Sequence, residues 1–165
     1  MTYSEDEVSA LLKFADPIMR VFLLLSAHAG LRVSETLALT WGDVDLNARK
    51  LTVKHGKGGK ARGVQVSRTL AEALGSLQAA LGAPDKTIIA GSDVAARKRL
   101  QTLCKRAGVA YKGVHALRHY AGTKLVRQTG DLERAARHLG HSSIETTRIY
   151  AKWSDDALKD SVGEW

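Results

Sequence analysis

Six side chains suited to phosphate chemistry recur near predicted element ends. Arg32 follows Gly30, and Lys57 sits in the run Lys54-His55-Gly56-Lys57-Gly58-Gly59-Lys60-Ala61-Arg62. His115 and Arg118 are three residues apart, His141 follows Gly140, and Tyr150 comes nine residues later. Helical positions three apart share a face, so His115 and Arg118 present an imidazole and a guanidinium to one ligand. An arginine fork binds phosphate oxygens bidentately, a lysine on a glycine-flanked loop can deliver a proton, and a tyrosine hydroxyl can be a covalent nucleophile. A phosphate is the natural guest of such a set.

Each residue also has a plainer reading on its own. Tyr150 would bury its ring and wet its hydroxyl, Arg32 would be a surface cation, and Lys57 a solvated charge or a nonspecific phosphate contact. His115 and His119 have the i, i+4 spacing of zinc ligands, but no glutamate follows the first histidine as a metalloprotease helix requires, and Gly140 breaks the helix between His138 and His141. No metal site is expected. Cys104 is the single cysteine, which excludes an intrachain disulfide and fits a small core residue in a reducing, cytosolic setting.

The elements that must hold these groups are mostly helical. Ser4-Glu5-Asp6-Glu7 is a capping box opening a helix to about Phe14, with Val8, Leu11, Leu12 and Ala15 at helical spacing. Pro17 starts a second, largely apolar helix running through Ala29 to Gly30, and Leu31 resumes a short third through Leu39, leaving Arg32 at its start. From Asp43 the pattern alternates through Leu46, Leu51 and Val53, then Val64 and Val66, which predicts a β-hairpin or three-strand meander tipped by the Gly/Lys run. Thr69-Leu70-Ala71-Glu72 reads as a second capping box, with a helix to about Leu81. Further helices are expected over Ser92 to Ala107, His115 to Gln128, Asp131 to Leu139, Ser143 to Tyr150 and Ser154 to Trp165, the last carrying Ala157, Leu158 and Val162 on one side. The fold class is mainly α with a small antiparallel β-sheet (α+β).

At 165 residues, 44% hydrophobic and 25% charged, the chain has the composition of one globular domain, 1–165. Its longest apolar stretch, Val21 to Leu31, is too short and too interrupted for a membrane span, and the N-terminus lacks the pattern of a secretory signal. A net charge of +8 predicts a polyanionic partner, without by itself separating nucleic acid from anionic lipid. Only 5% of residues are aromatic, so stacking platforms of the kind that bind single strands are not evident.

Taken in order, Ala29-Gly30-Leu31-Arg32-Val33-Ser34-Glu35, Gly56-Lys57-Gly58-Gly59-Lys60-Ala61-Arg62, His115-Ala116-Leu117-Arg118-His119, Leu139-Gly140-His141-Ser142-Ser143 and Ile149-Tyr150 resemble the catalytic domain of the tyrosine recombinase or phage integrase family. The resemblance implies a site-specific recombinase that cleaves and rejoins DNA through a 3′-phosphotyrosyl intermediate, without metal, ATP or other cofactor. Arg32 and Arg118 look like the family's two phosphate-clamping arginines, His115 like its proton-moving histidine, and His141 like a further phosphate donor. Lys57 resembles the hairpin lysine that protonates the leaving 5′-oxygen, and Tyr150 the nucleophile. Glu35 sits in the family's Arg-x-x-Glu position and would orient its neighbours, or be a helix salt-bridge acid. Lys54, Lys60, Arg62, Lys112, Lys124 and Arg148 are candidate contacts to the DNA backbone.

Implied partners are double-stranded DNA and further copies of the chain in a tetrameric synapse on DNA, the isolated domain being monomeric; no membrane is involved. The tail after Tyr150 resembles the segment that packs on a neighbouring protomer, against a plainer reading as a helix docked on its own domain. Two departures stand out: Gly63-Val64 follows Arg62 where many members have Val-Pro, and only about thirty residues precede Arg32 where members carry a core-binding domain. The expectation is an excised catalytic domain or a short relative, of bacterial, phage or mobile-element origin. A non-catalytic DNA-binding regulator of the same fold and a type IB topoisomerase-like relaxing enzyme are the competing readings. A magnesium nuclease is disfavoured, since no acidic cluster accompanies the cations.

Overall fold

The computed structural model describes residues 2–54, 61–81 and 83–140. Its second helix, α2 (Pro17–Ala27), is apolar all round and buried from Met19 to Ala27 apart from Arg20, so neighbours must cover it on every side. Pro17 sits in the first turn, where its missing N–H is harmless, and the Asp16 carboxylate caps the Met19 N–H at 2.8 Å. Helices α4 (Arg68–Leu81) and α6 (His115–Thr129) pack against α2, while α1 (Glu5–Phe14) lies on α5 (Asp93–Ala107). The capping box at Ser4 forms as expected: Ser4 Oγ accepts from the Glu7 N–H and Glu7 Oε1 from the Ser4 N–H.

Three short strands, β1 (Val44–Asp45), β2 (Lys50–Val53) and β3 (Arg62–Gln65), form an antiparallel meander in that order. Leu51 lies between Val44 and Val64, and Val53 opposite Arg62. Leu51, Val53 and Val64 are buried while Lys50, Thr52 and Gln65 face solvent, the alternation expected of a sheet with one wet face. The sheet's buried face joins the main core with Phe22, Leu70, Leu74 and Leu100. A smaller cluster of Ala121, Val126, Ala135, Ala136 and Leu139 seats α7 (Leu132–Leu139) on α6.

Three boundaries differ from the sequence reading. Helix α2 stops at Ala27 rather than running to Ala29, because the N–H groups of Ala29, Gly30 and Leu31 turn back to the carbonyls of Leu24, Ser26 and Leu25 as Gly30 enters left-handed φ at +72°. Helix α3 (Val33–Ala38) begins two residues after Leu31, with Arg32 extended as its N-cap. Helix α4 is capped by Ser67, whose Oγ accepts from the Leu70 N–H at 3.1 Å, and not by Thr69: the chain turns directly out of β3, where the Val66 N–H still bonds the Arg49 carbonyl. The hairpin tip 55–60, the helix Ser143 to Tyr150 and the tail Ser154 to Trp165 lie outside the described residues. Among the described residues no helix is long and apolar enough to cross a membrane.

Candidate functional site

The turn between α2 and α3 and the start of α6 build the candidate site. Gly30 is needed twice: its φ of +72° is a conformation L-residues rarely adopt, and a Cβ there would collide with Leu139 Cδ2. The close approach lets the Arg118 guanidinium join three elements. Its Nη1 donates to the Gly30 carbonyl at 2.6 Å and its Nη2 to the Leu139 carbonyl at 2.9 Å, tying α6 to the α2–α3 turn and to the end of α7.

Arg32, Ser34, Tyr111, His115 and Arg118 line one cleft of about 480 Å³. Arg32 and Arg118 reach it from different depths: the side chain of Arg32 is 34% exposed and that of Arg118 is 3%. Arg97, paired with Asp93 at 3.0 Å, lines the same cleft, so three guanidiniums and an imidazole face a single carboxylate there and the concavity favours an anion.

Beneath them lies Glu35, 3% exposed. Its carboxylate accepts the Arg32 backbone N–H at 2.8 Å and two bonds from Arg62, at 2.6 and 3.2 Å. Arg32 Nη1 approaches it to 3.6 Å and Arg118 Nη1 to 3.9 Å. Burial acts to raise the pKa of this carboxyl; the Arg62 hydrogen bonds, the Arg32 N–H and both charges outweigh it and hold the group below its ordinary range, as an anion.

Next to this site, His138 Nε2 lies 3.0 Å from the His28 carbonyl, which fixes the proton on Nε2 of the neutral ring, and His28 Nδ1 meets Ser67 Oγ at 2.8 Å. Burial lowers both histidines; Lys124 adds to the effect at His28, and Arg62 and Arg118 add to it at His138. His138, His28 and Ser67 thereby link α7, the end of α2 and the cap of α4, a connection their sequence spacing does not signal.

Of the residues singled out in the sequence, Arg32, His115 and Arg118 share the cleft and Glu35 sits under two of them. Arg62 is turned inward onto Glu35. Lys54 Nζ pairs with Asp43 at 2.7 Å at the base of the hairpin; burial would raise the Asp43 pKa, but the Lys54 and Thr40 hydrogen bonds lower it on balance. Lys112 pairs with Glu7 at 2.6 Å and Lys124 with Glu5 at 3.4 Å. Lys57, Lys60, His141, Arg148 and Tyr150 lie outside the described residues. Among the described residues no three His, Cys, Asp or Glu side chains gather to hold a metal ion, and Cys104 is buried in the core.

The profile of the phage integrase family matches residues 2–156. Tyrosine recombinase XerC of Xanthomonas campestris pv. campestris (strain B100) is 39% identical over 140 residues, 79% of this chain and 43% of that protein. The crystal structure of XerA recombinase superposes with a TM-score of 0.86 at 31% identity, covering 99% of this chain and 63% of that one. XerH site-specific recombinase, solved with palindromic difH substrate as a post-cleavage complex, shares the fold at 22% identity and a TM-score of 0.77, covering 100% of this chain and 53% of that one. The chain spans less than half the length of the XerC relative. With the family profile running through the elements that bring Arg32, His115 and Arg118 onto one cleft, the chain belongs to the phage integrase family.

Proposed function

We propose that this chain is the catalytic domain of a site-specific DNA recombinase. The observation that carries the reading is the convergence of Arg32, His115 and Arg118 on one cleft over a buried Glu35. A phosphodiester held there has the fixed positive charge of the Arg32 and Arg118 guanidiniums beside its nonbridging oxygens, where negative charge gathers in phosphoryl transfer.

In this reading the Tyr150 hydroxyl attacks the phosphorus, the P–O5′ bond breaks, and the tyrosine becomes linked to the 3′-phosphate. His115 assists removal of the tyrosine proton, Lys57 donates a proton to the departing 5′-oxygen, and His141 adds a hydrogen bond to the phosphate. A second 5′-hydroxyl then attacks the phosphotyrosine and releases the enzyme, so the energy of the broken bond is kept for joining and no cofactor is consumed. Double-stranded DNA is the substrate, and four copies of the full protein form the synapse in which strands change partners. The net charge of +8 supports a DNA partner, and the 39% identity to a tyrosine recombinase supports the reaction class.

Covalent trapping tests the proposal: the chain is incubated in EDTA, at low salt, with a pool of duplexes nicked near varied positions, and products are resolved on a denaturing gel. A slow-migrating adduct that disappears in Tyr150→Phe is the expected result. DNA binding by a folded chain with no adduct from any substrate would instead identify a binding module.

A further inference from the structure

Three guanidiniums surround Glu35, yet they stand at different distances. Arg62 holds both carboxylate oxygens at 2.6 and 3.2 Å, while the nearest approaches of Arg32 and Arg118 are 3.6 and 3.9 Å. Arg62 reaches Glu35 from β3, which is on a different element from either of the others. A bidentate fork is the strongest claim on a carboxylate, so Arg62 leaves the other two at longer ion-pair distances, Arg118 being held as well by the Gly30 and Leu139 carbonyls.

We propose that Arg62 is a positioning residue: by occupying both oxygens of the Glu35 carboxylate it holds the Arg32 and Arg118 guanidiniums at ion-pair distance from that acid, short of hydrogen bonding to it, and on the cleft they line. Without Arg62 the buried carboxylate would lose its bidentate partner and keep only the Arg32 N–H and the two longer ion pairs, and a movement of about 1 Å would bring either remaining guanidinium to hydrogen-bond length. The anion site would then be collapsed by its own acid. A second contact fits the same role. A Cβ on Gly140 would lie 2.6 to 2.8 Å from Nε, Cδ and Cζ of Arg62, so the guanidinium stem rests flat on the cap of α7, whose Leu139 carbonyl Arg118 also holds. Arg62 is thus braced between Glu35 and the glycine cap, a poor posture for reaching outward to a DNA backbone.

The inference rests on the recombinase reading for its consequence, and its test separates the two. Single-turnover cleavage of a nicked duplex and a titration with inorganic phosphate, followed on the arginine Nε–Hε resonances, are compared in the parent chain, Arg62→Ala, Glu35→Gln and the double variant. Arg62→Ala should shift the Arg32 and Arg118 resonances, weaken phosphate binding and slow cleavage, with duplex affinity nearly unchanged. Adding Glu35→Gln to it should restore on the order of tenfold in both rate and phosphate affinity, since the amide removes the competing charge and still accepts the Arg32 N–H. Arg62→Lys, which keeps the charge and loses the fork, should fall between, and replaces Arg62→Ala in every comparison if that variant does not fold.

No recovery in the double variant, or a uniform loss of duplex affinity with a salt slope lower by about 1, would overturn the proposal and make Arg62 an ordinary backbone contact. Should the parent chain cleave no DNA, the recombinase reading falls, while the phosphate titration still decides the role of Arg62.

Discussion

Arg118 Nη1 donates to the carbonyl of Gly30, 88 residues earlier in the chain, at 2.6 Å. With the Leu139 carbonyl on Nη2, the same guanidinium fastens three elements and lines the cleft. It is both a structural tie and a candidate phosphate ligand, and the two roles can be separated by comparison with Arg32.

Arg118→Ala should lower stability by about 1–3 kcal/mol for each buried carbonyl it orphans. Arg32→Ala removes a one-third-exposed side chain and its 3.6 Å ion pair with Glu35 while leaving the backbone bond to Glu35 and the Arg62 pair in place, so its stability loss should be smaller than that of Arg118→Ala. Both should slow DNA cleavage by about 10²–10³-fold. Denaturant unfolding alongside single-turnover rates checks this; equal stability losses in the two variants would contradict it.

Gly30→Ala combines a left-handed φ with a collision against Leu139 Cδ2. The backbone strain alone is worth about 1–3 kcal/mol, and relief of the collision must come by displacing Leu139 and with it the end of α7. The expected outcome is a lower unfolding midpoint together with increased amide exchange in 132–139. A variant as stable as the parent would show that the turn has another conformation open to it.

Burial lowers His28 and His138 below their ordinary value of 6.5. The folded chain then binds fewer protons than the unfolded one, so their contribution to stability is complete above about pH 6.5 and declines as the pH falls below it. Glu35, also lowered, acts in the same direction further down: its contribution is present above the ordinary value of 4.5 and is lost on acidification through its folded pKa. Denaturation midpoints should therefore fall between pH 7 and 5 and fall faster below that. His138→Gln should flatten the first part of the profile, and a parent midpoint unchanged from pH 7 to 5 would refute the assignment.

Duplex affinity should be strongly salt-dependent if the +8 charge works through phosphate contacts. Four neutralised phosphates correspond to about a hundredfold loss between about 50 and 200 mM salt. Fluorescence anisotropy with a labelled duplex measures it, and a flat dependence would exclude backbone contacts as the source of affinity.

Local signals carried most of the secondary structure. Ser4, Asp16, Ser92 and Asp131 cap helices, and Gly108, Gly130 and Gly140 end them in left-handed φ. These are interactions within three or four residues, for which residue type is a direct signal. Strand alternation at Leu51, Val53 and Val64 was equally legible, because it reflects one buried face at a period of two. The cap of α4 was misplaced by two residues because Thr69 and Ser67 are chemically alike, and the turn out of β3, a matter of sheet geometry, chose between them.

For the candidate site, the sequence by itself determined which side chains could bind a phosphate: Arg32, His115 and Arg118 have that chemistry wherever they lie. Only the tertiary structure decided that they share a cleft, that Arg62 faces inward to Glu35 rather than outward, and that Lys54, Lys112 and Lys124 are matched with Asp43, Glu7 and Glu5. The physical reason is separation along the chain. Arg62 and Glu35 are 27 residues apart and Arg118 and Gly30 are 88, and such pairs form only once the burial of α2 and of the sheet's inner face has set the elements against one another.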